Sequence, residues 1–163
     1  MSTEKNLKEA FAGESQANRK YLAFAQKADE EGYRTAAKLF RAAAEAEAIH
    51  ASSHLKVMGE VQDTAANLQA GINGETFEFE KMYPEFIKEA EAEGNKAAVA
   101  TFKRANEAEK VHAELYKKVL DSLDKNQDLG FYLCPVCGYI EINNAPDKCP
   151  ICGVPGSRFK LID

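Results

Sequence analysis

The stretch EAEAIH, residues 45–50, recurs as EAEKVH, residues 107–112. The same offset of 62 residues relates three further pairs: Tyr21 and Tyr83, Gly32 and Gly94, and Phe40 and Phe102. The chain is therefore an internal duplication, and each half carries one Glu-x-x-His segment. Because residues three apart on a helix are neighbours, each segment presents a carboxylate and an imidazole to one point.

Residues 1–125 have the apolar spacing of amphipathic helices. Apolar side chains recur there at intervals of three and four, as in the stripe of Leu7, Phe11, Ala17 and Tyr21. Turn residues interrupt this spacing at residues 30–33, around Gly59 and at residues 92–95. They divide the region into four helices of about 25 residues, each on the order of 40 Å long. The region therefore predicts a four-helix bundle.

Composition changes sharply near residue 126. Residues 1–125 contain one proline and no cysteine, whereas residues 126–163 contain the other four prolines and all four cysteines. The polar stretch at residues 124–130 has the breaker residues of a linker. We therefore expect a helical domain at residues 1–125, a linker at residues 126–130 and a second domain at residues 131–163.

The overall charge and composition exclude some partners. A net charge of −5, spread as mixed-sign pairs, argues against nucleic acid or an anionic membrane as the main partner. The N-terminus has no apolar leader, and no apolar run approaches the roughly 20 residues of a membrane span. The expectation is a cytoplasmic protein that binds neither nucleic acid nor membrane.

Four glutamates and two histidines are expected to point into the bundle. They are Glu14, Glu47, His50, Glu75, Glu109 and His112. Buried carboxylates are costly unless they are paired or bound to a metal, and no inward Lys or Arg is nearby. One Glu-x-x-His alone is commonly a solvated face, but two copies in register, each preceded by an inward Glu, match the arrangement of di-iron and di-manganese bundles. The pattern therefore predicts two divalent cations.

Three other residues lie near these acids. Tyr21 and Tyr83 are two turns beyond Glu14 and Glu75, near the inward face. Core packing is their default role, and hydrogen bonding to the carboxylates is the functional alternative. His54 lies one turn beyond His50, but its counterpart in the second half is a tyrosine, which indicates a position at the edge of the core and not a ligand.

The third helix holds one residue more than its counterpart. Glu14 recurs as Glu75 at an offset of 61, whereas Tyr21 recurs as Tyr83 at an offset of 62. One inserted residue must be absorbed locally if both flanks are to face the core, so we expect a π-bulge between Glu75 and Tyr83. Pro84, which lacks an N–H group, favours such a disturbance.

The insertion brings two additional acids. Glu78 lies three residues after Glu75 and shares its metal-facing side, whereas its counterpart in the first half is Ala17. Glu80 points elsewhere and is expected to be surface charge. Glu78 is therefore a further candidate ligand, and its alternative role is that of an extra solvated acid.

The C-terminal segment carries two Cys-x-x-Cys pairs separated by eleven residues, Cys134/Cys137 and Cys149/Cys152. Each pair is followed by a glycine, and such turns aim two thiolates and backbone N–H groups at one ion, zinc or iron. Disulfides are the weaker reading for this spacing in a cytoplasmic chain. The segment is too small to hold a fold by its core alone, so the metal is expected to be its main staple.

Taken together, GESQANRKY (13–21), the two Glu-x-x-His segments, GETFEFEKMYP (74–84) and CPVCGY with CPICG resemble rubrerythrin over nearly the whole chain. The resemblance implies a ferritin-like four-helix bundle with a non-haem di-iron site and a rubredoxin-like domain with one iron. It implies that Glu47 and Glu109 bridge the irons, with Glu14 and His50 terminal on one and Glu75 and His112 on the other. It also implies that Glu78 holds one iron in the diferric state and yields it to His50 on reduction.

The function implied by the resemblance is reduction of hydrogen peroxide to water. Two ferrous ions would supply both electrons, and the four-cysteine iron would refill them from rubredoxin or an NAD(P)H-dependent reductase. A head-to-tail homodimer is also implied, in which the four-cysteine iron of one subunit lies near the di-iron site of the other. One alternative is a ferritin-like ferroxidase or iron-handling protein with a structural zinc ribbon, which needs no electron relay. Another is a bundle whose metals serve only to stabilise the fold, but this leaves the inward acids unexplained.

Overall fold

A computed structural model describes residues 2–162 of the chain. The described helices are α1 (Thr3–Glu30), α2 (Arg34–Val57), α3 (Thr64–Phe77), α4 (Tyr83–Ala92) and α5 (Lys96–Asp121), with a π-helical segment at Glu78–Met82. Three short strands follow, β1 (Phe131–Leu133), β2 (Ile140–Ile142) and β3 (Lys160–Ile162). The chain forms two compact units, one ending at Gln62 and the other beginning at Asp63.

The first unit is the antiparallel hairpin of α1 and α2. Ser2 caps α1 by accepting a hydrogen bond from the amide of Lys5. The helix ends at Glu30, and Gly32 follows in the turn with a φ of +83°, which glycine adopts without strain. The fully buried residues of the hairpin are all alanines: Ala25, Ala28, Ala37, Ala44 and Ala51. Its larger apolar side chains are therefore only partly covered within the unit.

The second unit begins with a helix made of α3, the π segment and α4, which packs antiparallel to α5. Asp63 caps α3 and Asn95 caps α5, in each case through a side-chain oxygen that accepts a backbone N–H. At Gly71 the two helices approach so closely that an added Cβ would lie 3.2 Å from the ring of Tyr116.

The aromatic residues repeat the duplication seen in the sequence. In the first unit Tyr21 and Phe24 pack with Phe40, at ring-centroid distances of 5.5–6.3 Å. In the second unit the same cluster is formed by Tyr83, Phe86 and Phe102 at 5.7–6.3 Å. Each hairpin is therefore held by an equivalent aromatic contact, which lies two turns from its acidic residues.

The expected π-bulge is confirmed. Residues Glu78–Met82 form the π segment, and Pro84 follows in the first turn of α4, where its missing N–H costs least. The wider π turn absorbs the inserted residue, so that Glu75 before it and Tyr83 after it both keep the faces of their counterparts.

The C-terminal segment is a small antiparallel sheet in the order β2-β1-β3. Its core consists of Cys134, Tyr139 and Cys149, against which Val111 of α5 packs. The predicted fold class is confirmed: four helices, if α3, the π segment and α4 are counted as one, precede a small cysteine-clustered β domain. No helix among residues 2–162 is long and apolar enough to span a membrane.

We predict that deleting Glu80 in combination with Pro84→Leu converts the π segment into regular helix. These two changes give the segment the length of its counterpart in the first half and the Leu found there, and they should change the free energy of unfolding by only about 1 kcal/mol. Deleting Glu85 in the same Pro84→Leu background is the matched control. This deletion rotates Phe86 and Ala90 away from α5, and no extra residue at that point compensates for the rotation. It should lower the free energy of unfolding by about 3 kcal/mol or more. Chemical denaturation of the metal-free proteins measures both, and equal damage by the two deletions would contradict this account.

Candidate metal centres

The first unit holds a cluster of two carboxylates and one imidazole. Glu14 on α1 faces Glu47 and His50 on α2, and the ligand atoms of the three lie within 4.8 Å of one another. The Nδ1 atom of His50 is 3.1 Å from Glu47 and 3.7 Å from Glu14. A hydrogen bond between the two carboxyl groups raises the pKa of Glu14 and lowers that of Glu47.

The second unit holds the equivalent cluster in a more buried setting. His112 Nδ1 lies 2.7 Å from Glu109 and 3.7 Å from Glu75. Burial, and then the hydrogen bond with Glu109, raise the pKa of Glu75 to about 7. The hydrogen bond from His112 holds the pKa of Glu109 below its ordinary value. Two acids and an imidazole at this spacing have the geometry of a divalent-cation site.

No Lys or Arg neutralises these acids. Among residues 2–162, each of the four glutamates forms its ion pairs with the histidine of its own cluster. Desolvated carboxylates of like charge are stable together only if a proton or a cation lies between them. The donor set of oxygen and imidazole nitrogen suits iron, manganese or zinc.

A long-range hydrogen bond fixes the orientation of His112. Its Nε2 atom donates to the backbone carbonyl of Gly138, at 2.8 Å. Because a carbonyl only accepts, Nε2 carries a hydrogen, and Nδ1 is the nitrogen that faces Glu75 and Glu109. Nδ1 donates to Glu109 when the ring is charged and is left to bind a cation when the ring is neutral. Burial lowers the pKa of His112, but the hydrogen bonds with Glu109 and Gly138 outweigh burial and the pKa lies above its ordinary value.

Two further predicted residues face the second cluster. Burial, followed by the negative charge of Glu109, raises the pKa of Glu78, although Glu78 lies outside the three-residue cluster. Burial and the charges of Glu109, Glu78 and Glu75 likewise raise the pKa of Tyr83, so its hydroxyl stays protonated. Tyr21 lies in its aromatic cluster beside Phe24 and Phe40.

The four cysteines form the third cluster. Sγ of Cys134 lies 3.6 Å from that of Cys152, and Sγ of Cys137 lies 3.5 Å from that of Cys149. A tetrahedral site with metal–sulfur bonds of about 2.3 Å has edges of about 3.8 Å, so these distances fit one metal ion. The two turns match: Gly138 and Gly153 have φ of +81° and +75°, and the amides of Cys134 and Cys149 donate to Tyr139 and Val154.

Backbone amides prepare one thiol for ionisation. Burial raises the pKa of Cys134, but hydrogen bonds from the amides of Val136 and Cys137 bring it down to about 7. Burial raises the pKa of Cys137 above its ordinary value. A bound cation would therefore have to displace protons from some of these thiols, which is the usual coupling of metal binding to pH.

The contact between His112 and Gly138 was not predicted from the sequence. Gly138 stands out only as the residue after the first Cys-x-x-Cys pair, and no periodicity relates it to α5. The contact joins the four-cysteine segment to α5 of the same chain. The role of Phe24 and Phe86 was also missed, although their offset of 62 residues is visible in the sequence.

The fold and these clusters define a helical protein with two Glu/His metal-binding clusters and a four-cysteine metal domain. A model of the family described as rubrerythrin matches residues 5–120, and a model described as rubrerythrin, rubredoxin-like domain, matches residues 132–160. The chain belongs to the rubrerythrin family. Its metal centres are accordingly a di-iron site built from the Glu and His clusters and a rubredoxin-like site of four cysteines.

Known relatives match over almost the whole chain. Nigerythrin of Nitratidesulfovibrio vulgaris is 44% identical over 172 residues, covering 97% of this chain and 85% of the relative. Rubrerythrin-2 of Clostridium acetobutylicum is 37% identical over 171 residues, covering 94% and 93%. The solved structure of fully reduced, all-ferrous nigerythrin has a TM-score of 0.62 at 42% identity and covers 99% of this chain and 87% of that one.

We predict that the metal-free protein loses stability as the pH rises from about 4.5 to about 7. The folded pKa of Glu75, about 7, lies above its ordinary value of 4.5, so its contribution is present below pH 4.5 and is lost as the pH rises through 7. The raised pKa of His112 acts in the same direction. Melting temperatures across this range measure the effect, with Glu75→Gln as the control whose profile should be flatter. A metal-free protein that becomes more stable over this window would contradict the assignment.

Proposed function

We propose that this protein is a non-haem di-iron peroxidase that reduces hydrogen peroxide to water with electrons delivered through its four-cysteine iron. The observation that carries the proposal is the hydrogen bond from His112 to Gly138. It connects a candidate ligand of the di-iron centre to the residue that follows Cys137, a candidate ligand of the four-cysteine centre. The two centres are therefore coupled through one imidazole ring and a few covalent bonds.

The proposed di-iron centre uses all seven acidic and histidine ligands. Glu47 and Glu109 would hold both irons, with Glu14 and His50 on one and Glu75 and His112 on the other. Glu78 and His50 would be alternative ligands of the same iron, the first in the oxidised and the second in the reduced state. A harder cation prefers oxygen and a softer one accepts imidazole, which gives the exchange a chemical reason.

The reaction balances with the electrons of two ferrous ions. Reduction of one hydrogen peroxide consumes two electrons and two protons and yields two waters, and a bound pair of ferrous ions would supply both electrons. The protein contributes the geometry: Gly138 keeps a hydrogen on Nε2 of His112, and the protonated hydroxyl of Tyr83 lies within the electrostatic influence of Glu75, Glu78 and Glu109. The external donor is proposed to be rubredoxin or an NAD(P)H-dependent reductase.

The alternative is a ferroxidase or iron-handling protein with a structural zinc ribbon. A zinc ribbon would stabilise the C-terminal segment equally well, because the four sulfurs suit either metal. It has no need, however, of a hydrogen bond to a ligand of the di-iron centre. The position of Gly138 against His112 therefore favours the peroxidase, in which the four-cysteine metal changes its oxidation state.

Visible absorption spectroscopy tests the proposal directly. The purified protein should show iron–thiolate charge-transfer bands that bleach on reduction and return when hydrogen peroxide is added. We predict that Cys149→Ser abolishes these bands and reduces donor-driven peroxide turnover to background, while the chemically reduced variant still consumes one equivalent of peroxide per di-iron site. Lys148→Ala, at the exposed neighbouring position, is the control and should retain both properties. A colourless wild type, or donor-driven turnover that survives in Cys149→Ser, would refute the relay.

We further predict that Glu78→Ala slows steady-state peroxide turnover by roughly 10–100-fold, the usual cost of losing a residue that tunes a metal site. Metal content should stay near that of the wild type, because the six other ligands remain. Glu80→Ala, on the exposed side of the π segment, is the matched control and should leave turnover unchanged. Full activity of Glu78→Ala would contradict the proposed exchange. So would crystal structures of the oxidised and reduced protein in which the irons have identical ligands.

A further inference from the structure

The connection between α2 and α3 is short and tightly folded, so it can span only a small distance. At the end of α2, the amide of Gly59 donates to Lys56 and that of Glu60 donates to Leu55, so both residues are folded back on the helix. On the other side Asp63 caps α3 by accepting from the amide of Ala66, at 2.8 Å. From Glu60 to the start of α3 at Thr64 the chain therefore spans at most about 14 Å.

A ferritin-like bundle requires a much longer connection at this place. Such folds contain one long crossover, and the α1–α2 and α4–α5 connections are tight turns at Gly32 and Gly94. The crossover must therefore join α2 to α3, and it makes these two helices parallel.

The distance that this crossover must cover follows from the ligand positions. Glu47 lies about 15 Å before the end of α2, and Glu75 about 16 Å after the start of α3. If both glutamates are level at one centre, the end of α2 and the start of α3 are about 30 Å apart. Even full extension from Val57 to Thr64 reaches only about 25 Å, so one chain cannot close the centre on itself.

We propose that a second copy of this chain supplies the missing hairpin, so that each di-iron centre is shared between two chains. One chain contributes Glu14, Glu47 and His50 from α1 and α2, and the other contributes Glu75, Glu78, Glu109 and His112. The two chains exchange hairpins reciprocally, which gives a dimer with two complete centres. This inference rests on the proposed function, because it takes the seven ligands to form one centre.

The ligand-bearing faces of both hairpins are open to receive such a copy. Gly13 and Gly74 immediately precede the ligands Glu14 and Glu75, and a Cβ added at either would meet nothing within 4 Å among residues 2–162 beyond the adjoining turns of its own helix. The side chain of His50 is 55% exposed. Apolar rings nearby are also uncovered, with Phe24 47% exposed and Phe77 59% exposed. A second copy is an occupant whose ligands and apolar faces match, because the two hairpins are duplicates.

Complementation between two inactive chains tests the exchange. The first variant carries Glu47→Ala and His50→Ala, and the second carries Glu109→Ala and His112→Ala. Each variant alone should lack bundle iron, by which we mean the iron bound by the Glu and His ligands of the helices. In the exchanged heterodimer, both lesions fall in one centre, and the other centre is entirely wild type. Co-expression with two different affinity tags isolates that heterodimer, and elemental analysis should find two bundle irons per dimer above the four-cysteine irons, half of the wild-type number.

Lengthening the connection provides the second measurement. Inserting about ten Gly and Ser residues after Glu60 adds more than 30 Å of reach, so each chain can close on its own hairpin. We expect this change, made in both variants, to abolish complementation. The wild-type chain with the same insertion should keep its full iron content. The matched control places the insertion after Gly32, in the turn between α1 and α2, and should leave complementation intact.

The outcomes separate this inference from the proposed function. One outcome is a heterodimer that contains as little bundle iron as the two parent variants while the wild type holds four bundle irons per dimer. That result overturns the exchange but is consistent with the proposed di-iron centre. A wild-type monomer with a full di-iron centre does the same. A wild type with iron only in its cysteine sites overturns the shared centre together with the proposed function. Circular dichroism of each variant establishes that its helices are formed.

Discussion

The main constraint on this structure is the mutual repulsion of carboxylates that share one helix interface. Glu75 and Glu109 face each other beside His112, and burial together with this contact raises the pKa of Glu75 to about 7. A hydrophobic pair at these positions would pack without such a penalty. The acids therefore fit together at this interface best when a proton or a metal cation lies between them, and Glu14 and Glu47 form the same kind of pair. Metal binding is thus coupled to helix packing, and a bound cation would add to the stability of the fold.

The C-terminal segment extends this dependence to a second metal site. Its own core is small, so a cation bound by the four cysteines would stabilise the turn that carries Gly138. Once fixed, the carbonyl of Gly138 determines which nitrogen of His112 is free to bind metal. The chemistry of one centre therefore depends on the folding of the other. A single hydrogen bond couples a sulfur-ligated metal site to an oxygen- and nitrogen-ligated one.

Local spacing made much of this predictable from the sequence. The Glu-x-x-His segments and the cysteine pairs depend only on helix or turn geometry over a few residues, so their clusters could be anticipated. The π segment was predictable because one inserted residue between Glu75 and Tyr83 leaves few ways to keep both on their faces. The contact of Gly138 with His112 was not predictable, because it joins two elements by packing and has no sequence period. The compact units were missed as well, since their boundary at residue 62 depends on how the connection folds back at Gly59 and Glu60.

The duplication is asymmetric, and the differences fall in the second half. That half holds the π segment with Glu78, the buried Tyr83 and the histidine that is anchored by Gly138. The side chain of His112 is only 17% exposed, whereas that of His50 is 55% exposed. A buried imidazole with both nitrogens engaged is a rigid ligand, while an exposed one beside flexible carboxylates can move at little cost. Two sites derived from one ancestral hairpin have therefore become chemically inequivalent. One side holds its imidazole in a fixed orientation, and the other leaves its imidazole exposed and free to move.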